Sequence, residues 1–266
     1  MKVSVITINY NNKIGLENTI KSVISQTTND FEYVIIDGAS TDGSVDIATS
    51  LLKEINIQTI FISEKDSGIY NAMNKGIQKS TGDYLLFLNS GDVFHSDNII
   101  ENYIKSNPKS DIVAGKEFFT SDGFIYTPPS LDELNYDYLM HWPLMHQSTF
   151  IKKEAFNFVG LYNENYKIVS DWEWWIRALI IHNCTYESLD FVVADFDGTG
   201  VSNSEKQRIR HDKERLHVQT TLLPRVHSMY NELETLRKYN IEYKYLCEGK
   251  FKWIVKIILK IKQYTR

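Results

Sequence analysis

Acidic residues follow two of the predicted strands at the point where each strand ends. Asp37 closes the run FEYVIID and leads into a loop of turn-forming residues, whereas Asp92 closes the turn NSGD after the run DYLLFL. Open α/β sheets bind their ligands at the carboxyl ends of the strands, because the loops diverge there and leave a crevice. The pattern therefore predicts a ligand site at this edge without naming the ligand.

A third carboxylate, Asp171, falls in the first turn of a helix predicted over residues 170–183, with Ser170 as the expected N-cap. The exposed amides and the helix dipole at that end favour a carboxylate by a few tenths to about 1 kcal/mol. Such a carboxylate can accept a proton from a hydroxyl as a general base, or it can simply stabilise the helix. The residue type alone does not separate these two roles.

Short β-rich runs alternate with helical patterns through the first half of the chain. The runs lie at 3–8, 31–36, 56–62, 83–88 and 110–115. This alternation predicts an α/β fold with a largely parallel sheet and amphipathic helices on its faces. The segments 34–36 and 85–88 are continuously apolar, so we expect them in central strands that are covered on both sides.

Composition and charge exclude several classes of protein. The 266 residues are 42% hydrophobic with a formal net charge of -5, which predicts a soluble globular protein and argues against nucleic-acid binding. Cys184 and Cys247 have no partner at metal-ligand spacing, so we expect a reducing compartment and no thiolate zinc site. The opening residues show neither a secretion signal nor the glycine fingerprint of a dinucleotide-binding dehydrogenase.

The C-terminal part is helical and highly charged by pattern. Its last segment, residues 250–266, carries six basic residues and no acidic one. On a helical wheel the apolar side chains share one face and the lysines lie opposite, which is typical of a helix that lies on an anionic membrane surface. Docking on its own domain or on a second subunit is the alternative. Lysines interrupt the apolar run, which is too short to span a bilayer.

Six sequence blocks occur in an order that resembles inverting family 2 glycosyltransferases of the GT-A fold, of the bacterial polysaccharide-assembly type. The blocks are VSVITINYNN, SVISQT, YVIIDGASTDGS, SEKDSGIYNAMNKGI, GDYLLFLNSGD and SDWEWWIRA. The resemblance implies a mixed GT-A sheet flanked by helices in a catalytic domain. We expect that domain at 1–203, its nucleotide-sugar part at 1–115, its acceptor side at 116–203, and a C-terminal helical extension at 204–266.

The resemblance also assigns a donor site to the sheet edge. The residues that would bind the nucleotide-sugar are Asn9, Tyr10, Asp37, Asp66, Asn74, Ser90 and Gly91. Within this set, Asp37 would accept hydrogen bonds from the nucleotide base. An aspartate that merely caps the following helix is the alternative for Asp37.

Asp92 matches the acidic motif that orients Mn²⁺ or Mg²⁺ against the nucleotide diphosphate in the family. Such a cation takes one or two carboxylates and completes its shell with phosphate oxygens and water. Asn89 and Gly91 stand where many relatives carry acids, so we expect weak metal binding before the nucleotide arrives. Asn89 and His211 are weaker candidate ligands. A simple acidic turn after a buried strand is the alternative.

Asp171 matches the catalytic base of the family, which takes the proton of the acceptor hydroxyl as that oxygen attacks the anomeric carbon. Ser170 replaces the acid that usually precedes this base. The resemblance places His146 and Trp172 on the acceptor side. A lone histidine is more often structural, and a tryptophan at helical spacing is more often part of the core.

The sequence thus predicts a metal-assisted inverting glycosyltransferase. It would move a sugar from a nucleotide-diphosphate donor, with a UDP-sugar favoured, to a hydroxyl of a growing glycan or a polyprenyl-linked acceptor. Residues 250–266 would hold this cytoplasmic enzyme at the inner face of the cell membrane. A nucleotidyltransferase and a noncatalytic binder of nucleotide-sugars or glycans stay open. A glycosidase is disfavoured because no second carboxylate is placed to serve as the paired acid.

Overall fold

The computed structural model describes the backbone of residues 1–53, 55–196 and 205–248, and the side chains of residues 1–53, 55–196 and 207–239. The chain divides into two compact units, residues 1–214 and residues 215–266. The expected boundary between residues 203 and 204 and the basic segment 250–266 lie outside the described residues.

Within the described residues, the first unit is built on a nine-stranded mixed sheet. Its strands are β1 (Val3–Asn9), β2 (Phe31–Asp37), β3 (Gln58–Ser63), β4 (Tyr84–Phe87), β5 (Val93–Phe94), β6 (Ile112–Phe119), β7 (Phe124–Tyr126), β8 (Thr149–Lys152) and β9 (Tyr186–Phe196). The strand order is β3-β2-β1-β4-β8-β6-β9-β5, with β7 paired to β6. The first four strands in this order are parallel, and β8 joins β4 in the antiparallel sense.

Helices alternate with the strands through the first unit and follow them along the chain. They are α1 (Lys13–Ile24), α2 (Ser44–Leu52), α3 (Ile69–Lys79), α4 (Ile99–Ser106), α5 (Tyr136–His141), α6 (Ala155–Val159), α7 (Ser170–Ile176), α8 (Glu205–Leu222) and α9 (Pro224–Glu248). A 3₁₀ turn at His146–Ser148 precedes β8, and a π-helical stretch at Arg177–Ile181 continues α7. In the described part of the chain, no helix combines the length and the apolar character needed to cross a bilayer.

Two apolar clusters form the core of the first unit. Alternate residues of β1 enter different clusters, Ile6 with α3 on one side and Val5 with α1 on the other. Every residue of β1, β2 and β4 is buried, and each buried large apolar side chain stabilises the fold by about 1.5–3 kcal/mol. The prediction that the continuously apolar segments lie in central strands is confirmed.

Helix α7 begins differently from the prediction. Val169 is its N-cap, and Ser170 is the first helical residue, with its side chain buried. The backbone amides that precede the helix donate instead to the carboxylate of Glu214 on α8. The prediction of Ser170 as N-cap is therefore wrong, because the first intrahelical bond, from the Glu173 amide to the Val169 carbonyl, begins the helix one residue earlier. Asp171 does lie in the first turn of the helix.

Candidate active site

Asp37 ends β2 next to Asn9, its register partner at the end of β1. The Asp37 side chain is 0% exposed, and its carboxylate accepts four hydrogen bonds. Asn9 Nδ2 (2.8 Å) and Ser40 Oγ (2.6 Å) donate to Oδ1, while Ser63 Oγ (2.6 Å) and the Ser40 amide (2.9 Å) donate to Oδ2. Burial raises the pKa of this carboxyl, but the four bonds outweigh burial and hold the pKa below its ordinary value.

The four donors occupy about all the lone-pair sites that one carboxylate offers. Asp37 is therefore an ionised anchor for the loop that follows β2. A nucleotide base can bond to this carboxylate only by displacing Ser40 or Ser63, or by contacting residues that Asp37 positions. The structure does not show Asp37 capping the following helix, because α2 begins at Ser44 with Gly43 as its N-cap, and the Ser40 amide belongs to the loop.

Tyr10 and Asp66 converge over Gly38, beside the Asp37 anchor. A Cβ atom at Gly38 would lie 2.7 Å from Asp66 Oδ2 and 3.0 Å from Tyr10 Cδ2, so this close approach requires glycine. The Tyr10 ring is 68% exposed, and an exposed aromatic face can stack on a nucleobase. The structure therefore brings Asn9, Tyr10, Asp37 and Asp66 together at one edge of the sheet.

Asn74 lies elsewhere. Its Nδ2 donates to the Tyr162 carbonyl (3.0 Å) and to the Glu164 carboxylate (2.8 Å), and its Oδ1 accepts from the Tyr162 amide (3.0 Å). Both amide hydrogens are thus used within the protein, and the side chain is buried. The structure places Asn74 as a link between α3 and the segment before α7, not at the rim with Tyr10.

The turn after β4, which carries the expected metal ligand, is held by α1. Thr19 Oγ1 donates to the Asp92 carbonyl (2.7 Å) and accepts from the Gly91 amide (3.0 Å). Asn12 Nδ2 donates to the Ser90 carbonyl (3.0 Å), and its Oδ1 caps α1. Sequence reasoning missed both supports, although Asn12 is a recognisable N-cap before a helical pattern.

The residues of this turn fit a hard divalent cation with few protein ligands. No group of three His, Cys, Asp or Glu side chains is placed to hold a metal ion in the described ranges. Asn89 Oδ1 is buried and receives no hydrogen bond from a described residue, so this oxygen can bind a cation. Mg²⁺ and Mn²⁺ prefer oxygen ligands and draw several from phosphate and water. Asp92 and Asn89 therefore suit an ion that arrives with a diphosphate.

His211, the other weak candidate ligand, lies on α8. Its Nδ1 is 3.1 Å from the Asp212 carboxylate of the same helix. The separation of His211 from Asp92 in the sequence matches no recognisable ligand spacing. In the structure, its acidic partner Asp212 lies on the same helix. Its role as a metal ligand stays a prediction.

Asp171 is held from both sides by residues distant in sequence. Tyr70 Oη is 3.0 Å from Asp171 Oδ1, and His146 Nδ1 is 3.3 Å from Oδ2. Burial raises the pKa of this carboxyl, but the hydrogen bond and charge of His146, the Trp172 amide and Tyr70 hold it below its ordinary value. Asp171 is therefore ionised at neutral pH, and its side chain keeps 19% exposure.

His146 bridges Asp171 and the turn after β4. Its Nε2 is 2.9 Å from Asn89 Nδ2, so in the neutral ring Nδ1–H donates to Asp171 and Nε2 accepts from Asn89. Burial lowers the pKa of His146, but Asp171, Asp92 and Glu117 together outweigh burial and raise it. The expected acceptor-side histidine thus lies between the proposed base and the proposed metal turn.

Glu117 of β6 is a further acidic residue that sequence reasoning missed. Its side chain is 0% exposed. Burial, partly offset by the charge of His146 and reinforced by Asp92, raises the pKa of Glu117 to about 8. The segment GKEFF matches no recognisable motif. An isolated polar residue in a strand usually faces solvent, so no feature of the sequence indicates that Glu117 is buried.

Trp172 lies in the core rather than on a sugar-facing surface. It is 3% exposed, and its Nε1 donates to the Leu139 carbonyl (2.7 Å). Trp175 Nε1 similarly donates to the Leu144 carbonyl (3.1 Å). These two bonds tie the α5 region to α7. Trp142, at the end of α5, is 60% exposed and has a ring open to contact.

More than half of the chain matches a known protein family. The model of the family described as Glycosyl transferase family 2 matches residues 4–164. This chain belongs to glycosyl transferase family 2. A PGL/p-HBAD biosynthesis glycosyltransferase of Mycobacterium bovis (strain BCG / Pasteur 1173P2) is 31% identical over 201 residues, covering 74% of this chain and 77% of that relative.

Solved structures share the fold of this family 2 member. S. aureus TarS 1-349 in complex with UDP-GlcNAc aligns with a TM-score of 0.64 at 18% identity, over 83% of this chain and 67% of that one. The mannosyltransferase PcManGT from Pyrobaculum calidifontis, in complex with GDP-Man and Mn²⁺, gives 0.64 at 17% identity, over 84% and 64%. In another TarS 1-349 structure the match spans 60% of that chain. The predicted GT-A fold is confirmed.

Proposed function

We propose that this family 2 member transfers a sugar from a nucleotide-diphosphate donor to an acceptor hydroxyl, with inversion at the anomeric carbon. The observation that carries the proposal is the setting of Asp171. Its carboxylate is charged, partly exposed, and held by Tyr70 and His146. Through His146 it is joined to Asn89 in the turn after β4. A proton acceptor and a proposed diphosphate site are therefore neighbours.

In the proposed step the acceptor oxygen bonds to the anomeric carbon from the face opposite the nucleotide. The bond from that carbon to the diphosphate oxygen breaks, and its electron pair stays on the diphosphate. Asp171 takes the proton of the acceptor hydroxyl during the attack, as a general base. A single displacement of this kind needs one base and inverts the configuration.

The donor proposal rests on the sheet edge. Tyr10 offers an exposed ring, and Asp37 holds the loop that faces it. The structurally similar TarS and PcManGT are found in complex with UDP-GlcNAc and GDP-Man, which supports a nucleotide-diphosphate sugar as the donor class. We favour a UDP-sugar.

Asp92 and Asn89 would hold Mn²⁺ or Mg²⁺ in this proposal, with His211 as a weaker candidate. When bound, the cation would neutralise charge that develops on the leaving diphosphate. Only one carboxylate contributes from this turn, so the chain should bind the cation weakly until the nucleotide supplies further oxygens.

The proposed acceptor is a hydroxyl of a glycan or of a polyprenyl-linked sugar. Residues 250–266 would bring the cytoplasmic enzyme to the inner face of the membrane, where a lipid-linked acceptor lies. This part of the proposal rests on the charge and apolar pattern of those residues alone. Sedimentation with anionic vesicles, with and without residues 250–266, tests it.

Thermal unfolding with a nucleotide panel tests the donor and metal parts together. The panel is UDP, GDP, TDP, CMP and ADP, each with and without Mn²⁺ or Mg²⁺. A ligand at 100 times its Kd stabilises the folded state by about 2.7 kcal/mol, so one diphosphate should raise Tm, and more so with metal. Asp92→Ala should remove the metal-dependent part of that rise. If no nucleotide changes Tm under any condition, the proposal fails.

A further inference from the structure

The linking segment, residues 164–169, lies between α6 and α7 in sequence and contacts α3. Its first residue, Glu164, accepts hydrogen bonds from Asn71 Nδ2 (3.0 Å) and Asn74 Nδ2 (2.8 Å) on α3. Its last residue is the N-cap of α7. The conformation of the linking segment therefore sets where α7 begins relative to α3.

The C-terminal half of the linking segment is held by a single carboxylate from α8. Three consecutive backbone amides donate to Glu214. The Lys167 amide lies 3.0 and 3.1 Å from its two oxygens, the Ile168 amide 3.0 Å and the Val169 amide 3.4 Å from Oε2. Hydrogen bonds to an ionised acceptor are about twice as strong as neutral ones, so these contacts fix the segment in one conformation.

The same segment also contacts the residue that holds Asp171. Tyr70 Oη lies 2.6 Å from the Ile168 carbonyl and 3.0 Å from Asp171 Oδ1. The Ile168 amide therefore donates to Glu214, and the Ile168 carbonyl accepts from the Tyr70 hydroxyl. A displacement of Ile168 would change the position of the Tyr70 hydroxyl and of the α7 N-terminus at once.

We propose that Glu214 is a positioning residue of the active site, which fixes the linking segment and thereby the orientation of the Asp171 carboxylate. This inference rests on the proposed function, since it takes Asp171 as the base. It also extends the functional unit into α8, beyond the boundary at residue 203 that the sequence predicts. The compact unit that ends at residue 214 agrees with this extension.

Two substitutions in the full chain test the proposal. Glu214→Ala removes the acceptor of all three amides, whereas Glu214→Gln keeps one amide oxygen in reach of them. A displacement of about 1 Å at a reacting group can cost 10²-fold in rate, so we expect kcat to fall about 10- to 100-fold in the alanine variant. Donor Kd should stay near wild type and Tm should fall only modestly, because three amides lose their acceptor, and Glu214→Gln should recover much of both losses. Glu232→Ala, on an exposed position of α9, is the matched control and should behave as wild type.

Hydrogen exchange of a peptide that covers residues 164–172 supplies a readout that does not depend on transfer. Exchange should be faster in Glu214→Ala than in wild type and in Glu232→Ala. Equal exchange, or wild-type kcat in Glu214→Ala, would overturn the proposal. Equal losses of kcat, donor binding and Tm in both Glu214 variants would also overturn it, because they indicate a general folding role. A wild-type chain that transfers no sugar would instead contradict the proposed function, whatever the exchange result.

Discussion

Asp37, at the end of strand β2, and Asp171, in the first turn of helix α7, are ionised carboxylates with different surroundings. Asp37 receives four hydrogen bonds from Asn9, Ser40 and Ser63, all at the ends of neighbouring strands or in its own loop. The side chains that contact the Asp171 carboxylate are Tyr70, at 3.0 Å from its Oη to Oδ1, and His146, at 3.3 Å from its Nδ1 to Oδ2. The first carboxylate is fully buried, whereas the second keeps partial exposure.

This difference separates an anchor from a reactive group. A carboxylate with all lone pairs engaged loses stabilising bonds when it takes a proton, so Asp37 is suited to hold a loop. Asp171 has fewer partners, and one of them is a histidine that can adjust its own protonation. Asp171 can therefore accept a proton at lower cost.

The largest effect is expected at the anchor. Asp37→Asn places an amide where three side chains and a backbone N–H donate, so it should destabilise the fold by about 3–5 kcal/mol, measured by urea unfolding. Because the folded pKa is lowered, the contribution of Asp37 is present above the unfolded pKa of about 3.9 and is lost as pH falls through the folded value. The difference between wild type and variant should shrink below pH 4. An equal difference at pH 7 and pH 2 would contradict the anchor role.

Glu117 should give a stability change of the opposite sign. Its folded pKa of about 8 exceeds the unfolded value of about 4.3, so the chain loses stability as pH rises between these values. Glu117→Gln, which is always neutral, should stabilise the fold by a few kcal/mol at pH 8 and by little at pH 4. Glu154→Gln, at a mostly exposed side chain, is the control. A stabilisation that does not change with pH would contradict the raised pKa.

His146 tests the reactive side. His146→Ala removes the contact to Asp171 Oδ2 and the link to Asn89, so kcat should fall about 10- to 100-fold, in the range of a positioned acid–base group. Donor Kd should change much less, and the pH profile of kcat should shift because Asp171 loses its partner. His141→Ala, at an exposed position on α5, should leave kcat unchanged. Full activity of His146→Ala would exclude a role for His146 in the proposed mechanism.

Trp142 gives the smallest expected effect and sharpens the acceptor side. If its exposed ring stacks on an acceptor sugar, Trp142→Ala should raise the acceptor KM by about fivefold, since such contacts contribute about 1 kcal/mol. Phe158→Ala, another exposed aromatic, should not. A rise in donor KM instead would place the ring on the other side of the site.

The fold and the meeting of Asn9 with Asp37 at one edge of the sheet could be predicted because their signals are local. The apolar runs of β1, β2 and β4 are continuous in sequence, and strands that pair in parallel end at a common edge. Asn9 and Asp37 close two such runs, so their meeting follows from the strand pattern. The convergence of Tyr10 and Asp66 follows from the same edge.

The surroundings of Asp171 could not be predicted in this way. Tyr70, His146 and Glu214 come from three distant parts of the chain, and no periodicity links them. The error at Ser170 is one of boundary, because the helix begins one residue earlier than the capping pattern indicates. The burial of Glu117 and Trp172 depends likewise on elements that are distant in sequence, since β6 pairs with β8 and β9, and Trp172 donates to the Leu139 carbonyl of α5.

The most direct test of Asp171 as the general base compares sugar transfer with donor binding in Asp171→Asn. The substitution keeps the size of the side chain and removes its ability to take a proton. Transfer by Asp171→Asn should fall about 10²-fold or more, while nucleotide-dependent and metal-dependent shifts in Tm should match those of wild type. Transfer near the wild-type rate with the same donor and acceptor would contradict the assignment of Asp171 as the base.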